Sequence, residues 1–159
     1  MKVRAGFVSN SSSSSFVVAI DHEPTDANDL MGMLFPKVSE DAPLSCELYD
    51  GLLTYSVKEI SESVFNNLST DPDEITKSFK WWLDGSPKMQ DYNVTSKEGW
   101  KAFLADSTKF ALSCKEAFME ENKGLFVFTV TYWDETAQGA FMEHGDIFRN
   151  VKHVLISFH

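Results

Sequence analysis

Between Leu44 and Val57, two runs of alternating apolar residues flank the dipeptide Asp50-Gly51. An Asp-Gly pair supplies the positive-φ positions of a type I′ turn, the tight connection whose twist matches that of two antiparallel strands. A turn there opposes Tyr49 to Leu52, Leu48 to Leu53, Cys46 to Tyr55 and Leu44 to Val57. Leu44, Cys46, Leu48, Leu53, Tyr55 and Val57 then share one face, while Ser45, Glu47, Thr54 and Ser56 take the other. The chain is expected to contain an antiparallel hairpin with one apolar face that other elements must cover.

Segments with a helical apolar period supply that cover. Residues 26–35 carry Leu30, Met33 and Leu34 on one side, behind a Thr25 cap and ahead of Pro36. A second helix, from about Lys58 to Leu68, buries Ile60, Val64 and Leu68. Asp71-Pro72-Asp73-Glu74 opens a third, with Asp71 as cap, Pro72 at the first helical position and Ile75, Phe79, Trp82 and Leu83 as its stripe. The longest starts at Thr95 and closes at Asn122-Lys123-Gly124. Trp100, Phe103, Leu104, Phe110, Ala111, Cys114, Ala117 and Phe118 line it, and Asp106-Ser107-Thr108 is a place where it can split in two. Phe16–Ile20, Leu125–Trp133 and Val151–His159 have the β-branched and aromatic composition of strands, the second resembling a central one. Residues 134–150, interrupted by Gly139 and Gly145, read as turns around a short strand or helix. The expected architecture is a single α+β domain over residues 16–159, behind a serine-rich segment at 1–15. Its sheet is mostly antiparallel, of about five strands, with helices packed mainly on one face.

Charge narrows the function. The formal net charge is −10, and the carboxylates are scattered along the chain rather than blocked. Such a surface repels phosphate backbones, so general nucleic-acid binding is disfavoured; it suits solubility, a basic protein partner, or mimicry of nucleic acid. No apolar run reaches the length of a membrane span. Polar serines, rather than an apolar stretch, follow Met1–Gly6, so no secretory leader is expected and the cytoplasm is the expected compartment. Cys46 and Cys114 stand outside any CxxC pair, which argues against a zinc ribbon or a thioredoxin motif. Each falls on an apolar stripe and is expected to be a buried structural thiol.

Three of the four histidines, His144, His153 and His159, lie in the last sixteen residues among Asp134, Glu135, Glu143 and Asp146. In a strand, His153, Leu155, Ser157 and His159 share one face, opposite Val154, Ile156 and Phe158. Imidazoles beside carboxylates suit a divalent metal, zinc or manganese, and general acid–base chemistry. His144, Asp146, His153 and His159 are therefore the candidate ligands of a metal-dependent hydrolase. Spacing works against the set: at roughly 3.3 Å per residue, His153 and His159 stand about 20 Å apart on an ideal strand. No glycine-rich phosphate loop and no G-x-S-x-G elbow is present. Trp81 and Trp82, about 100° apart on a helix, place Trp82 in the core and leave Trp81 as a candidate contact residue. Ser11, Ser12, Ser13, Ser14 and Ser15 form a low-complexity run that reads as a linker or exposed loop. With Asn10, these serines are candidates for interaction or for phosphorylation.

The string Arg4-Ala5-Gly6-Phe7-Val8-Ser9-Asn10-Ser11-Ser12-Ser13-Ser14-Ser15-Phe16 resembles the R-x-G-F-V-S-N-S-S-S-S-S-F opening of many uncharacterised bacteriophage and bacterial proteins. The resemblance covers these thirteen positions. It implies that the serines are a specified motif, and that the chain has a phage or prokaryotic, cytoplasmic origin in a bacterial host cell; it names no reaction. Three functional expectations follow. The leading one is a non-enzymatic accessory protein that binds a host or viral protein. The second is the metal-dependent hydrolase, and the third an acidic mimic of nucleic acid.

Overall fold

A computed structural model describes residues 13–48, 51–79, 85–133 and 136–158. In chain order the elements are β1 (Ser13–Ile20), α1 (Ala27–Leu34), β2 (Pro43–Leu48), β3 (Gly51–Ser56), α2 (Val57–Asn67), α3 (Pro72–Ser78), a 3-10 turn (Met89–Asp91), α4 (Lys97–Glu121), β4 (Phe126–Trp133), α5 (Ala137–His144) and β5 (Lys152–Phe158). The α+β class is as expected, and the pairing is antiparallel throughout. The strands, however, form two sheets rather than one: β4-β1-β5, and the separate hairpin β2-β3.

The first strand is the centre of the larger sheet. Every residue of β1 from Ser14 to Ile20 is buried. A strand with one wet face alternates, whereas one covered on both faces reads as a continuous apolar run, and Phe16-Val17-Val18-Ala19-Ile20 is such a run. Register and alternation sort the side chains. Phe16, Val18 and Ile20 point to the same side as Phe128, Val130 and Tyr132 of β4, and join Leu30 and Leu34 of α1, Ile60 and Val64 of α2, and Phe141 and Met142 of α5. Val17 and Ala19 point the other way, with Val127 and Ile156, against Ile75 and Phe79 and against Ala111 and Phe118 of α4. The helices therefore lie on both faces of the sheet, not mainly on one. The apolar run Phe16–Ile20 needs cover on both of its faces, and that is what divides the helices between the two sides.

β4 is an edge strand, not the central one. Among the described residues its outer side is bridged once, at Thr129, where Ser69 exchanges two backbone hydrogen bonds of 2.8 Å with it. A buried hydroxyl chain ties the layers together at the same point. The Thr129 hydroxyl donates to the Phe16 carbonyl at 3.1 Å and lies 2.7 Å from the Ser78 hydroxyl.

The hairpin keeps its expected faces but not its expected register. Leu48 pairs with Gly51, Cys46 with Leu53 and Leu44 with Tyr55, a two-residue shift that puts the connection at residues 49–50. The turn itself lies outside the described residues. Shifting by two preserves the side-chain parity, so Leu44, Cys46, Leu53 and Tyr55 still face the core, where the Tyr55 ring meets Phe141 edge-on at 4.9 Å. Val57 leaves the hairpin and starts α2 instead.

The caps follow the sequence with small displacements. Asp26, rather than Thr25, caps α1 by accepting from the backbones of Asn28 and Asp29. Ser56 and Glu59 form a capping box on α2, and Asp71 caps α3 ahead of Pro72. α4 runs unbroken through Asp106-Ser107-Thr108, where the Thr108 hydroxyl folds back onto the Leu104 carbonyl at 2.8 Å. The Trp82 and Leu83 part of the α3 stripe lies outside the described residues. Among those residues no helix is long and apolar enough to cross a membrane.

Candidate functional site

Ser13, Ser14 and Ser15 are not a linker: they open β1, so the expected boundary between residues 15 and 16 falls inside a strand. Ser14 and Ser15 are buried. The Ser15 hydroxyl lies 2.7 Å from that of Thr131. Ser14 carries a buried hydroxyl with no hydrogen-bond partner among the described residues. A modifying enzyme cannot reach either hydroxyl in the folded chain. Asn10, Ser11, Ser12 and Trp81 lie outside the described residues.

Pairing puts these serines beside the end of β4. Ser13 opposes Trp133, and Ser15 opposes Thr131. All four share the sheet face that carries Val17 and Thr129 further along, but Thr129 is buried under Ser78 of α3 whereas Trp133 is not buried. Its side chain is 58% exposed. Thr131 is exposed and Ser13 half-buried.

The backbone under Trp133 is held firmly. Its carbonyl accepts from the Thr136 hydroxyl at 2.8 Å and from the Thr136 backbone N–H at 3.1 Å. The same hydroxyl accepts from Gly139 N–H at 2.9 Å, capping α5. A Cβ at Gly139 would run into the Trp133 carbonyl oxygen, so only glycine lets the strand end pass this close to the helix. The start of α4 repeats the device: Ser96 accepts from Gly99 and donates to the Asn93 carbonyl at 2.9 Å. Trp133 is thus an exposed indole on a fixed backbone, next to a row of hydroxyls.

The C-terminal candidates are dispersed. The His144 imidazole, at the exposed end of α5, lies 3.8 Å from the Glu143 carboxylate. Asp146 is exposed and adopts a left-handed φ of 49°, which aspartate tolerates better than most residues. His153 is half-buried in β5. Its ring packs 6.0 Å from Phe148, and its Nδ1–H donates to the Val151 carbonyl at 3.0 Å, which fixes the tautomer. Among the described residues, no three His, Cys, Asp or Glu side chains gather in a group able to hold a metal ion. His159 lies outside those residues.

The fourth histidine, His22, sits against a carboxylate at closer range. Its Nε2 lies 3.1 Å from both oxygens of Asp29. The Thr25 backbone N–H, donating at 2.9 Å, and the His22 ring hold the Asp29 carboxyl below its usual range. This cluster ties the turn at 22–25 to the start of α1. The two thiols stand apart: Cys46 packs with the cluster on one side of the sheet, and Cys114 with the cluster on the other. Both are half-buried rather than fully buried, and burial raises the Cys114 pKa.

These observations define an α+β protein whose central strand opens with Ser13, Ser14 and Ser15 and whose sheet ends in an exposed tryptophan. Comparison with protein-family profiles, with curated proteins and with solved structures finds no match to the chain.

Proposed function

We propose that this chain is a non-enzymatic phage or prokaryotic accessory protein, acting in the cytoplasm of a bacterial host cell. It binds a basic host or viral protein at the sheet end around Trp133. The observation that carries the reading is the exposed indole on its fixed backbone. Tryptophan is the side chain most enriched among residues that dominate binding energy, and it loses little conformational freedom when it docks. Thr131 and Ser13 offer hydroxyls beside it for backbone or side-chain hydrogen bonds. Asp134 and Glu135 follow it in sequence, and the chain as a whole carries a net charge of −10. An arginine of the partner can stack on the indole while this acidic field draws it in.

The test is affinity capture from lysate of the bacterial host, uninfected and phage-infected, with the wild-type chain and Trp133→Ala as baits. A protein of basic character retained by the wild type, released by added salt and lost with Trp133→Ala supports the reading. If both baits retain the same proteins, or neither retains any, the reading fails.

A further inference from the structure

The two edges of the larger sheet are treated differently. Ser69 bridges the outer side of β4, whereas among the described residues no strand, bridge or further backbone hydrogen bond reaches the outer side of β5. Folded proteins usually guard such an edge with proline, a bulge, an inward-pointing charge or a covering loop. β5, with the sequence Lys-His-Val-Leu-Ile-Ser-Phe, has no proline or glycine, and its single full charge sits at its first residue. At its centre Leu155 is 40% exposed. It lies next to Phe16 in the ladder, at the margin of the cluster where the Phe16 and Phe148 rings pack at 4.9 Å.

We infer that the β5 edge is a self-association surface: two copies pair their β5 strands antiparallel about a two-fold axis at Leu155, joining two three-stranded sheets into one of six strands. The charge pattern of the strand argues for a second copy as occupant. Pairing centred on Leu155 sets Leu155 against Leu155 and Val154 against Ile156 in both directions. Lys152 falls opposite Phe158 of the other copy, and the two lysines are about 20 Å apart along the ladder, at roughly 3.4 Å per residue. No like charges oppose each other, and the strand carries no carboxylate of the kind that gives the rest of the chain its net charge of −10. At this edge a second acidic molecule therefore meets no carboxylate of the strand itself. The two leucines would also complete an apolar cluster that each copy leaves open at the sheet margin.

The geometry dictates the experiment. A charge placed at position 155 meets its own copy across the axis, and like charges directly opposite each other destabilise a strand pair. Sedimentation of the full chain over a range of concentrations should show a species of twice the 18.0 kDa chain mass. Leu155→Lys alone and Leu155→Glu alone should each sediment as monomers with unchanged circular dichroism. An equimolar mixture of the two should recover the dimer, because lysine then faces glutamate. Recovery on mixing separates a lost interface from a damaged fold. Added salt should strengthen the wild-type dimer by screening the acidic copies, whereas it weakens the complex with a basic partner, so the two surfaces fail independently. A wild-type chain that stays monomeric at every concentration, or a dimer that persists in both single variants, overturns the inference.

Discussion

The placement of the serines in the central strand makes a prediction that no linker can share. Ser14 holds a buried hydroxyl without a partner among the described residues. A hydroxyl taken out of water and left unpaired costs about 1–3 kcal/mol. Ser14→Ala removes that group and opens a space of only one oxygen atom, so the variant should be more stable by about 1 kcal/mol, the low end of that range. Ser15→Ala loses the 2.7 Å contact to Thr131. Since Thr131 is exposed and can turn to water, the expected cost is about 0.5–1.5 kcal/mol. Thr129→Val keeps the shape and deletes the hydroxyl between Ser78 and Phe16. Two buried contacts go at once, at a cost of about 1–2 kcal/mol. In a domain of this size each kcal/mol moves the melting temperature by about 2–4 °C. Urea denaturation followed by far-ultraviolet circular dichroism reads all three variants, and unchanged slopes would confirm that only stability has moved. Three variants indistinguishable from the wild type, or a Ser14→Ala chain destabilised by more than about 1 kcal/mol, would refute the reasoning that these hydroxyls sit in the core.

Further outcomes follow from the same packing. Burial pushes the Tyr132 hydroxyl up to about 12, against a smaller opposing effect of the Ser63 hydroxyl at 3.2 Å. Its unfolded value is about 10, so stability should be intact below that pH and fall as pH rises toward 12, by of order 2–3 kcal/mol. Tyr132→Phe should flatten that decline when stability is measured against pH. Gly139→Ala forces a Cβ against the Trp133 carbonyl. It should destabilise the fold by about 1–3 kcal/mol in urea, with Gly99→Ala behaving alike because the same contact recurs at Asn93. Trp133→Ala, by contrast, should leave the unfolding free energy from urea denaturation within about 0.5 kcal/mol of wild type, as surface substitutions do.

The parts of this fold legible in the sequence are those set by local chemistry. Asp71-Pro72 marks a helix start because the Asp71 side chain satisfies a backbone group two residues away; the Ser56-Glu59 capping box, equally local, went unread because Ser56 was placed in the hairpin. The hairpin faces were readable because alternation has period two, but its register was not: a two-residue slip leaves every side chain on the same side. The Asp-Gly signal pointed to residues 50–51, while in the fold Gly51 already pairs with Leu48 at a φ of 126°. Long-range pairing was the harder part. Nothing local says that β1 enters between β4 and β5, strands more than a hundred residues away in sequence. Polar composition hid the role of Ser13–Ser15, because a serine in a central strand differs from one in a linker only in what its neighbours bury. The exposure of Trp133 went unread for the same reason. Trp133 continues the period-two pattern of Val127 and Thr129, which are buried where it is not. The histidines were conspicuous as residue types, but His144, Asp146 and His153 belong to a helix end, a turn and a strand, which do not gather with a further ligand among the described residues.

The most direct test of the proposed role is the affinity of the captured partner for the wild-type chain and for Trp133→Ala, measured by calorimetry at matched salt. A central tryptophan contributes at least about 2 kcal/mol in such interfaces, so the variant should bind about 30-fold more weakly, with the wild-type affinity itself falling as salt rises. Equal affinities for the two chains would show that the partner docks elsewhere and would contradict the account.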